Sequence, residues 1–364
     1  MVHQVNGIRL RPNRLRSEAR RRWRAALAAA AVVAVVVTGC GTDGKPASEA
    51  TSSGDRLSLV VGVRDVSVPQ AALNWMVAQG YFEDAGLDVT IKIGEAAHTS
   101  QLVAGQVDLY QGAQGGLFGI INSGKQVKTI YGVDAGISGW VVASNESVKT
   151  PSDCKSVTTA TPGTVFYAWT KQLERIYDAD WQLTQLTSVP AITANVVGGR
   201  TDCATGNISY FQRGIDEGRL RVIFDPSDES NLPPGWPTLG VDDVIGGIPA
   251  TLAAKKPAVE KFLKTYAAAM PDYLAADPKD IAQALMSFNP KFAAVGSRDV
   301  LAKGVENFKP LLSPNSGYIS DETWSHTVDF FRQGGLDFLG NDPSRFDYAN
   351  VVDMSYYDAA IGRQ

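Results

Sequence analysis

Gly80-Tyr81-Phe82-Glu83-Asp84-Ala85-Gly86-Leu87-Asp88-Val89 decides how this chain is read. Upstream, Pro69 opens a helix whose Ala71, Ala72, Trp75 and Met76 share one apolar stripe, and Gly86 is placed to stop it. Downstream, Leu87–Ile93 alternates in polarity with the period of a strand. Leu57–Val63, ahead of the helix, is a short apolar run with polar borders, a buried strand. Strand, helix and strand in this order begin an α/β unit.

The pattern continues outward. Thr99 to Ala104 reads as a helix, Val107–Tyr110 as a strand ending in Gln111-Gly112, Leu117–Asn122 as a helix and Val127–Val133 as a strand. A second unit follows, with strands at Trp140–Ala143, Val157–Ala160, Leu183–Leu186, Asp202–Thr205 and Leu220–Phe224. Helices at Phe166 to Tyr177, Pro190–Val197 and Tyr210–Glu217 alternate with them. Four prolines between Pro226 and Pro237 mark a turn-rich stretch where the chain could cross back. Beyond a strand at Val241 to Ile248 the chain is helical, with amphipathic runs at Val259 to Leu274, Ile281–Ser287 and after Asp321, and a last helix at Tyr356 to Ile361. Such alternation predicts two α/β units with mainly parallel sheets, the second inserted into the first.

The N-terminus reads as a targeting signal. Eight arginines precede an apolar run of about 13 residues ending at Val37, then Thr38-Gly39-Cys40. That is the basic, apolar and small-residue layout of a secretory signal, and the run is short of the roughly 20 residues a spanning helix needs. Val37-Thr38-Gly39-Cys40 resembles the bacterial lipoprotein box, which implies cleavage before Cys40 and its diacylation, an anchor of more than one chain. Residues 40–56 are rich in Gly, Ser, Thr and Ala and read as a flexible tether.

Charge and cysteine usage narrow the function. Eight of the 34 basic residues and one of the 38 acidic residues lie in 1–39, leaving the rest of the chain at a formal −11. A body that acidic argues against nucleic acid, whose phosphates need clustered Lys and Arg. With Cys40 lipidated, Cys154 and Cys203 remain, and an oxidising compartment lets them form one disulfide; two separately buried thiols are the alternative. Catalytic signals are thin. His98 and His326 have no metal-ligand spacing, and neither a G-x-S-x-G elbow nor a G-x-x-x-x-G-K loop occurs. No catalytic residue, metal or cofactor is therefore assigned.

In open α/β sheets ligands bind beyond the C-terminal ends of strands, near helix N-termini. Here those positions are Arg64–Gln70, Gln111–Gln114, Gly163–Tyr167 and Asn207–Tyr210. They offer amides, hydroxyls, aromatic rings and one guanidinium, a mix suited to a small-molecule cleft.

The opening segment resembles the "G-(Y/F)-F-x-x-x-G-L-D-V" element of the type II periplasmic binding proteins of the nitrate/sulfonate/taurine and thiamine-precursor group. Gln101 to Leu109 is similar to that family's "L-x-x-G-x-V-D" element, and Pro257–Leu263 with Tyr273–Pro278 to its later helix and "N/D-P" turn. The resemblance spans roughly 57–360 and implies a two-lobed α/β fold with the ligand cleft between lobes. Lobe 1 would comprise 57–136 and 245–364 and lobe 2 137–244, with crossovers near Asp134–Gly139 and Trp236–Gly246. It implies ligand contacts from Arg64, Ser67, Gln70, Gln111, Ala113 and Gln114 in lobe 1, and from Trp140, Thr164, Tyr167, Asn207 and Tyr210 in lobe 2. Arg64 would pair with an acidic or strongly polar group, unless it is a structural partner of Asp65; Trp140 and Tyr210 have core packing as their alternative.

One arginine among many amides and aromatics favours a small polar organic molecule, sulfonate/taurine-like or pyrimidine-precursor-like, over a bare anion. The implied role is that of a monomeric binding lipoprotein outside the cytoplasm, delivering its solute to an ABC permease and ATPase. Two other classes stay open: a sensing or interaction lipoprotein on the same fold, which would lack saturable transport ligand, and an extracytoplasmic enzyme, which would turn its ligand over.

Overall fold

The computed structural model describes residues 56–362 apart from 95–96, 135–138, 163, 229, 231, 237–239, 313–316, 334–338 and 341. The signal, Cys40 and the tether expected at the N-terminus lie outside the described residues, save Arg56. Among the described residues no helix is long and apolar enough to cross a membrane.

Ten strands are described: β1 (Leu57–Val63), β2 (Leu87–Ile93), β3 (Leu109–Ala113), β4 (Lys128–Gly132), β5 (Trp140–Ala143), β6 (Ser156–Ala160), β7 (Gln182–Leu186), β8 (Cys203–Gly206), β9 (Arg221–Phe224) and β10 (Asp243–Gly247). They form two five-stranded sheets, ordered β2-β1-β3-β10-β4 and β7-β6-β8-β5-β9. Around the first sheet lie α1 (Ala71–Ala78), α2 (Tyr81–Asp84), α3 (His98–Val103) and α4 (Gln114–Asn122). The second carries α5 (Val165–Ile176), α6 (Val189–Val197) and α7 (Ile208–Asp216). The C-terminal part adds α8 (Pro249–Ala254), α9 (Lys256–Ala275), α10 (Pro278–Phe288), α11 (Arg298–Phe308), α12 (Asp321–Gln333), α13 (Tyr348–Val351) and α14 (Ser355–Ile361).

The opening segment folds as a helix interrupted by a turn. Gly80 takes a left-handed conformation (φ 79°) between α1 and α2, and Gly86 takes another (φ 73°) between α2 and β2. A side chain is strained at either position, so the two glycines set the angle at which β2 comes back beside β1. Both aromatics between them pack inward: Phe82 stacks on Phe262 of α9 with centroids 4.9 Å apart, and Tyr81 donates its hydroxyl to Asp272 at 2.8 Å.

The sheets are mixed rather than mainly parallel. β1 pairs parallel with β2 and β3, and β6 with β7 and β8. β10, however, runs antiparallel to β3 and β4, and β5 antiparallel to β8 and β9. The cause is topological. A parallel neighbour needs a crossover that returns the chain to the same end of the same sheet. β5 and β10 are instead the first strands laid down after the chain has passed from one sheet to the other, and they enter from the opposite end.

The first sheet and the C-terminal helices share one large core, which also takes in Trp140, Val165, Ala168 and Trp169. The second sheet has a smaller cluster on each face: Val141 joins Val157, Leu173 and Phe224, while its neighbour Val142 joins Ile192, Val196 and Phe211. Successive residues of a strand face opposite sides, so two adjacent valines serve two cores. Cys154 and Cys203 are disulfide-bonded on the Val141 face. Closing 49 residues of sequence separation contributes roughly 4 kcal/mol on the chain-entropy account.

Candidate functional site

Two connections join the sheets: 133–139 leads from β4 to β5, and 225–242 from β9 to β10. Where they meet, a cavity of about 260 Å³ opens between the sheets. Its first-sheet side is built from the loop after β1 (Arg64, Asp65, Ser67, Gln70), the start of α3 (His98, Thr99) and the turn from β3 into α4 (Ala113, Gly115, Gly116). Its second-sheet side comes from the start of α5 (Thr164, Val165, Phe166), the loop into α6 (Thr187, Ser188, Val189) and the start of α7 (Asn207, Tyr210).

Three helix N-termini on the second-sheet side are held by their own side chains. Thr164 Oγ1 accepts from Tyr167 N at 3.3 Å, Ser188 Oγ from Ala191 N at 3.4 Å and Asn207 Oδ1 from Ser209 N at 3.0 Å. These residues are strong N-caps because an extended backbone lets a short polar side chain fold over the first turn. The loops therefore stay in place, and Val165, Phe166, Val189 and Tyr210 of these first turns line the cleft.

Seven of the eleven sequence-derived positions line the cavity: Arg64, Ser67, Gln70, Ala113, Thr164, Asn207 and Tyr210. The other four do not. Gln111 is fully buried within β3, its amide close to the Tyr266 hydroxyl but outside hydrogen-bond geometry. Gln114 is fully buried in the first turn of α4 and accepts from Thr129 Oγ1 at 3.3 Å. Both lie inside because β3 and α4 run longer toward each other than the apolar pattern shows, so the expected loop is regular structure. Trp140 is a core residue of β5. Helix α5 starts at Val165, which brings Phe166 rather than Tyr167 to the lining, its ring edge-on to Tyr210 at 5.3 Å.

Arg64 bridges the cleft. Its guanidinium donates to the Thr187 carbonyl, a residue of the second-sheet side. Two further hydrogen bonds tie the sheets' surroundings together, Asn307 Nδ2 to Gln212 Oε1 at 2.9 Å and Gln172 Nε2 to the Phe330 carbonyl at 3.1 Å. Trp169 of α5 stacks on Trp236 of the returning connection, centroids 4.9 Å apart, and packs on Phe330 of α12 at 4.5 Å.

The floor is acidic. Asp134 comes from the first connection, Asp242 ends the second and Asp243 opens β10, with one carboxylate oxygen of each within 4.8 Å of the others. Asp134 Oδ1 accepts from the backbone N–H of Asp242 at 3.2 Å and of Asp243 at 3.1 Å, pinning the two connections together. Burial, then the Asp134 charge, pushes the carboxyls of Asp242 and Asp243 well above the usual range. Tyr110 and Tyr210 are also pushed up, chiefly by burial and then by these and the Asp65 carboxylates.

Sequence reasoning did not find this floor, nor Tyr110, whose hydroxyl donates to the Ala113 carbonyl at 2.9 Å. A methyl group on Gly112 or Gly116 would stand within 2.7 Å of that hydroxyl, so both glycines are fitted around it. The adjacent acids Asp242-Asp243, at the expected return crossing, were the available signal.

Two α/β halves about a cleft at paired chain crossings define the type II periplasmic-binding-protein fold. Solved structures agree on it. A protein from Bordetella bronchiseptica RB50 superposes with a TM-score of 0.66 at 16% identity, over 84% of this chain and 97% of its own. The periplasmic nitrate-binding protein NrtA from Synechocystis PCC 6803 gives 0.65 at 12% identity, over 85% and 89%. The alkanesulfonate-binding protein SsuA from Xanthomonas axonopodis pv. citri, bound to MOPS, gives 0.60 at 14% identity, over 78% and 95%. Comparison with curated protein sequences finds no match. Within that class, the NMT1/THI5-like family model matches residues 73–281, and the chain belongs to this family. Membership supports a non-enzymatic role.

Proposed function

We propose that the chain is the substrate-binding lipoprotein of an ABC importer, capturing a small polar organic solute between two lobes and delivering it to a membrane permease with its ATPase. On this reading 1–39 is the signal, Cys40 carries the lipid anchor, and 40–56 tethers the body outside the cytoplasm. Lobe 1 is 57–136 with 245–364, and lobe 2 is 137–244. The carrying observation is that one cavity draws its walls from both sheets at the place where the chain crosses between them twice. Only when the lobes are together can a solute touch both walls, so binding favours closure. Arg64, Ser67, Gln70 and Ala113 would contact it from one side and Thr164, Asn207 and Tyr210 from the other. The nitrate- and alkanesulfonate-binding proteins sharing the fold support a transport role.

Native mass spectrometry of the full chain, isolated gently from its own host, tests this. The expected spectrum carries a discrete small-molecule mass that is lost on denaturation. A clean apo mass, together with no thermal shift from sulfonates, amines or pyrimidines, would overturn the importer reading.

A further inference from the structure

The importer reading leaves the charge of the solute open, and the floor of the cleft bears on it directly. Four carboxylates line the cavity, from Asp65, Asp134, Asp242 and Asp243, against the single guanidinium of Arg64. That guanidinium gives one of its five N–H groups to the Thr187 carbonyl. Three more donors of the wall are engaged too. Tyr110 OH donates to the Ala113 carbonyl, Thr164 Oγ1 to the Thr161 carbonyl at 2.8 Å, and Gln70 Nε2 to Asp243 Oδ2 at 3.2 Å.

Two acceptors of the wall stand unpaired among the described residues. Gln70 is 95% buried, and its Oε1 has no hydrogen-bond partner among the described residues; the same holds for Oδ1 of Asp242, which is 91% buried. Leaving such atoms unpaired away from water is costly, so the cleft calls for a molecule that donates. A donor with a positive charge also relieves the repulsion among the three clustered carboxylates.

We propose that the solute is a small organic cation, an ammonium, amidinium or protonated amino-heterocycle, whose N–H groups meet Asp134, Asp242, Asp243 and Gln70. Its body lies among Tyr110, Phe166 and Tyr210, whose ring faces attract a cation as well as apolar surface. The size favours this over a bare metal ion. At about 30 Å³ per water the cavity holds the equivalent of roughly nine waters, far more than one ion needs, and Val189, Ile192 and Phe308 line it beyond the acids.

The proposal rests on the importer reading, and one experiment separates the two. The full chain, dialysed exhaustively, is titrated by calorimetry and thermal shift with benzylamine, benzamidine and 4-aminopyridine. Benzyl alcohol, benzenesulfonate and methanesulfonate serve as neutral and anionic counterparts, and calcium, magnesium and zinc chlorides as metal alone. Binding by at least one organic cation, at least tenfold tighter than by its uncharged or anionic counterpart, is expected. Asp242→Asn should weaken it at least tenfold, and Asp243→Asn serves in its place should the first variant fold poorly by circular dichroism. Preference for a sulfonate, binding of a divalent ion alone, or silence from every cation at millimolar concentration would each overturn the proposal. An anionic compound identified in the native mass spectrum would overturn it too, while leaving the importer reading standing.

Discussion

Asp242→Asn is expected to stabilise the ligand-free protein by on the order of 1 kcal/mol and to flatten its dependence on pH. Asp242 is buried, faces Asp134 and Asp243, and has one oxygen without a partner among the described residues. Its carboxyl is therefore held above the unfolded value, first by burial and then by the two neighbouring charges. With the folded pKa above the unfolded one, the native state holds more protons than the unfolded chain across that window. Stability is then greatest below the unfolded pKa and falls as pH rises through the folded one. Asp243 titrates in the same sense, raised by burial, Asp134 and Asp65 and partly relieved by Gln70. Asparagine keeps the shape of Asp242 and removes its charge, so it also lowers the repulsion felt by Asp243. Calorimetric melting of both proteins from roughly pH 5 to pH 8 checks this. A Tm that drops in the variant, or profiles that stay parallel, would mean the floor is not an electrostatic cost to the unliganded fold.

Gly240→Ala should act in the opposite direction and harder, costing about 3 kcal/mol. Gly240 lies in the returning connection, pressed against the first turn of α12. A Cβ there would fall deep inside contact distance of the Thr323 carbonyl oxygen and 3.0 Å from Thr327 Oγ1. The next residue is fixed by the same helix, since Val241 N donates to Thr327 Oγ1 at 3.0 Å. Backbone cannot yield as a flexible side chain can, so either the connection or α12 must move, and Asp242 and Asp243 move with it. Gly119→Ala in α4 is the matched control: no atom stands within 4 Å of its added Cβ, and alanine is the better helix former. Chemical denaturation of the two variants should therefore give a large loss for the first and none for the second. Equal stabilities would remove the tight seat of the connection on α12 from the account.

The strands were legible because their apolar runs are short and bounded by turn residues; β1, β2 and β5 appear where Leu57–Val63, Leu87–Ile93 and Trp140–Ala143 placed them. Helix α11 was missed although the signal was there: Ser297 caps it, and Leu301, Ala302, Val305 and Phe308 share one buried face at helical spacing. The direction of β5 and β10 was hidden for a different reason. Polarity patterns report which faces are buried and carry nothing about which end of a sheet the chain enters. In the site, Thr164 and Asn207 could be found because an N-cap has a local signature, a short polar residue ahead of an apolar-periodic run. The acid floor was only half legible: Asp242-Asp243 stood at the expected crossing, but Asp134 is 108 residues from Asp242 and meets it only through the paired crossings. Their burial, which gives them chemical interest, is a tertiary property.

A solute captured in this cleft is held by both halves at once. Hydrogen-exchange mass spectrometry of the full chain, as isolated with its captured compound and again after exhaustive dialysis, reads this directly. The compound is expected to slow exchange together at 64–70, 113–116, 164–166, 207–210 and 242–243, segments drawn from both sheets and their crossing. Slowing confined to one sheet, or centred away from these segments, would contradict it.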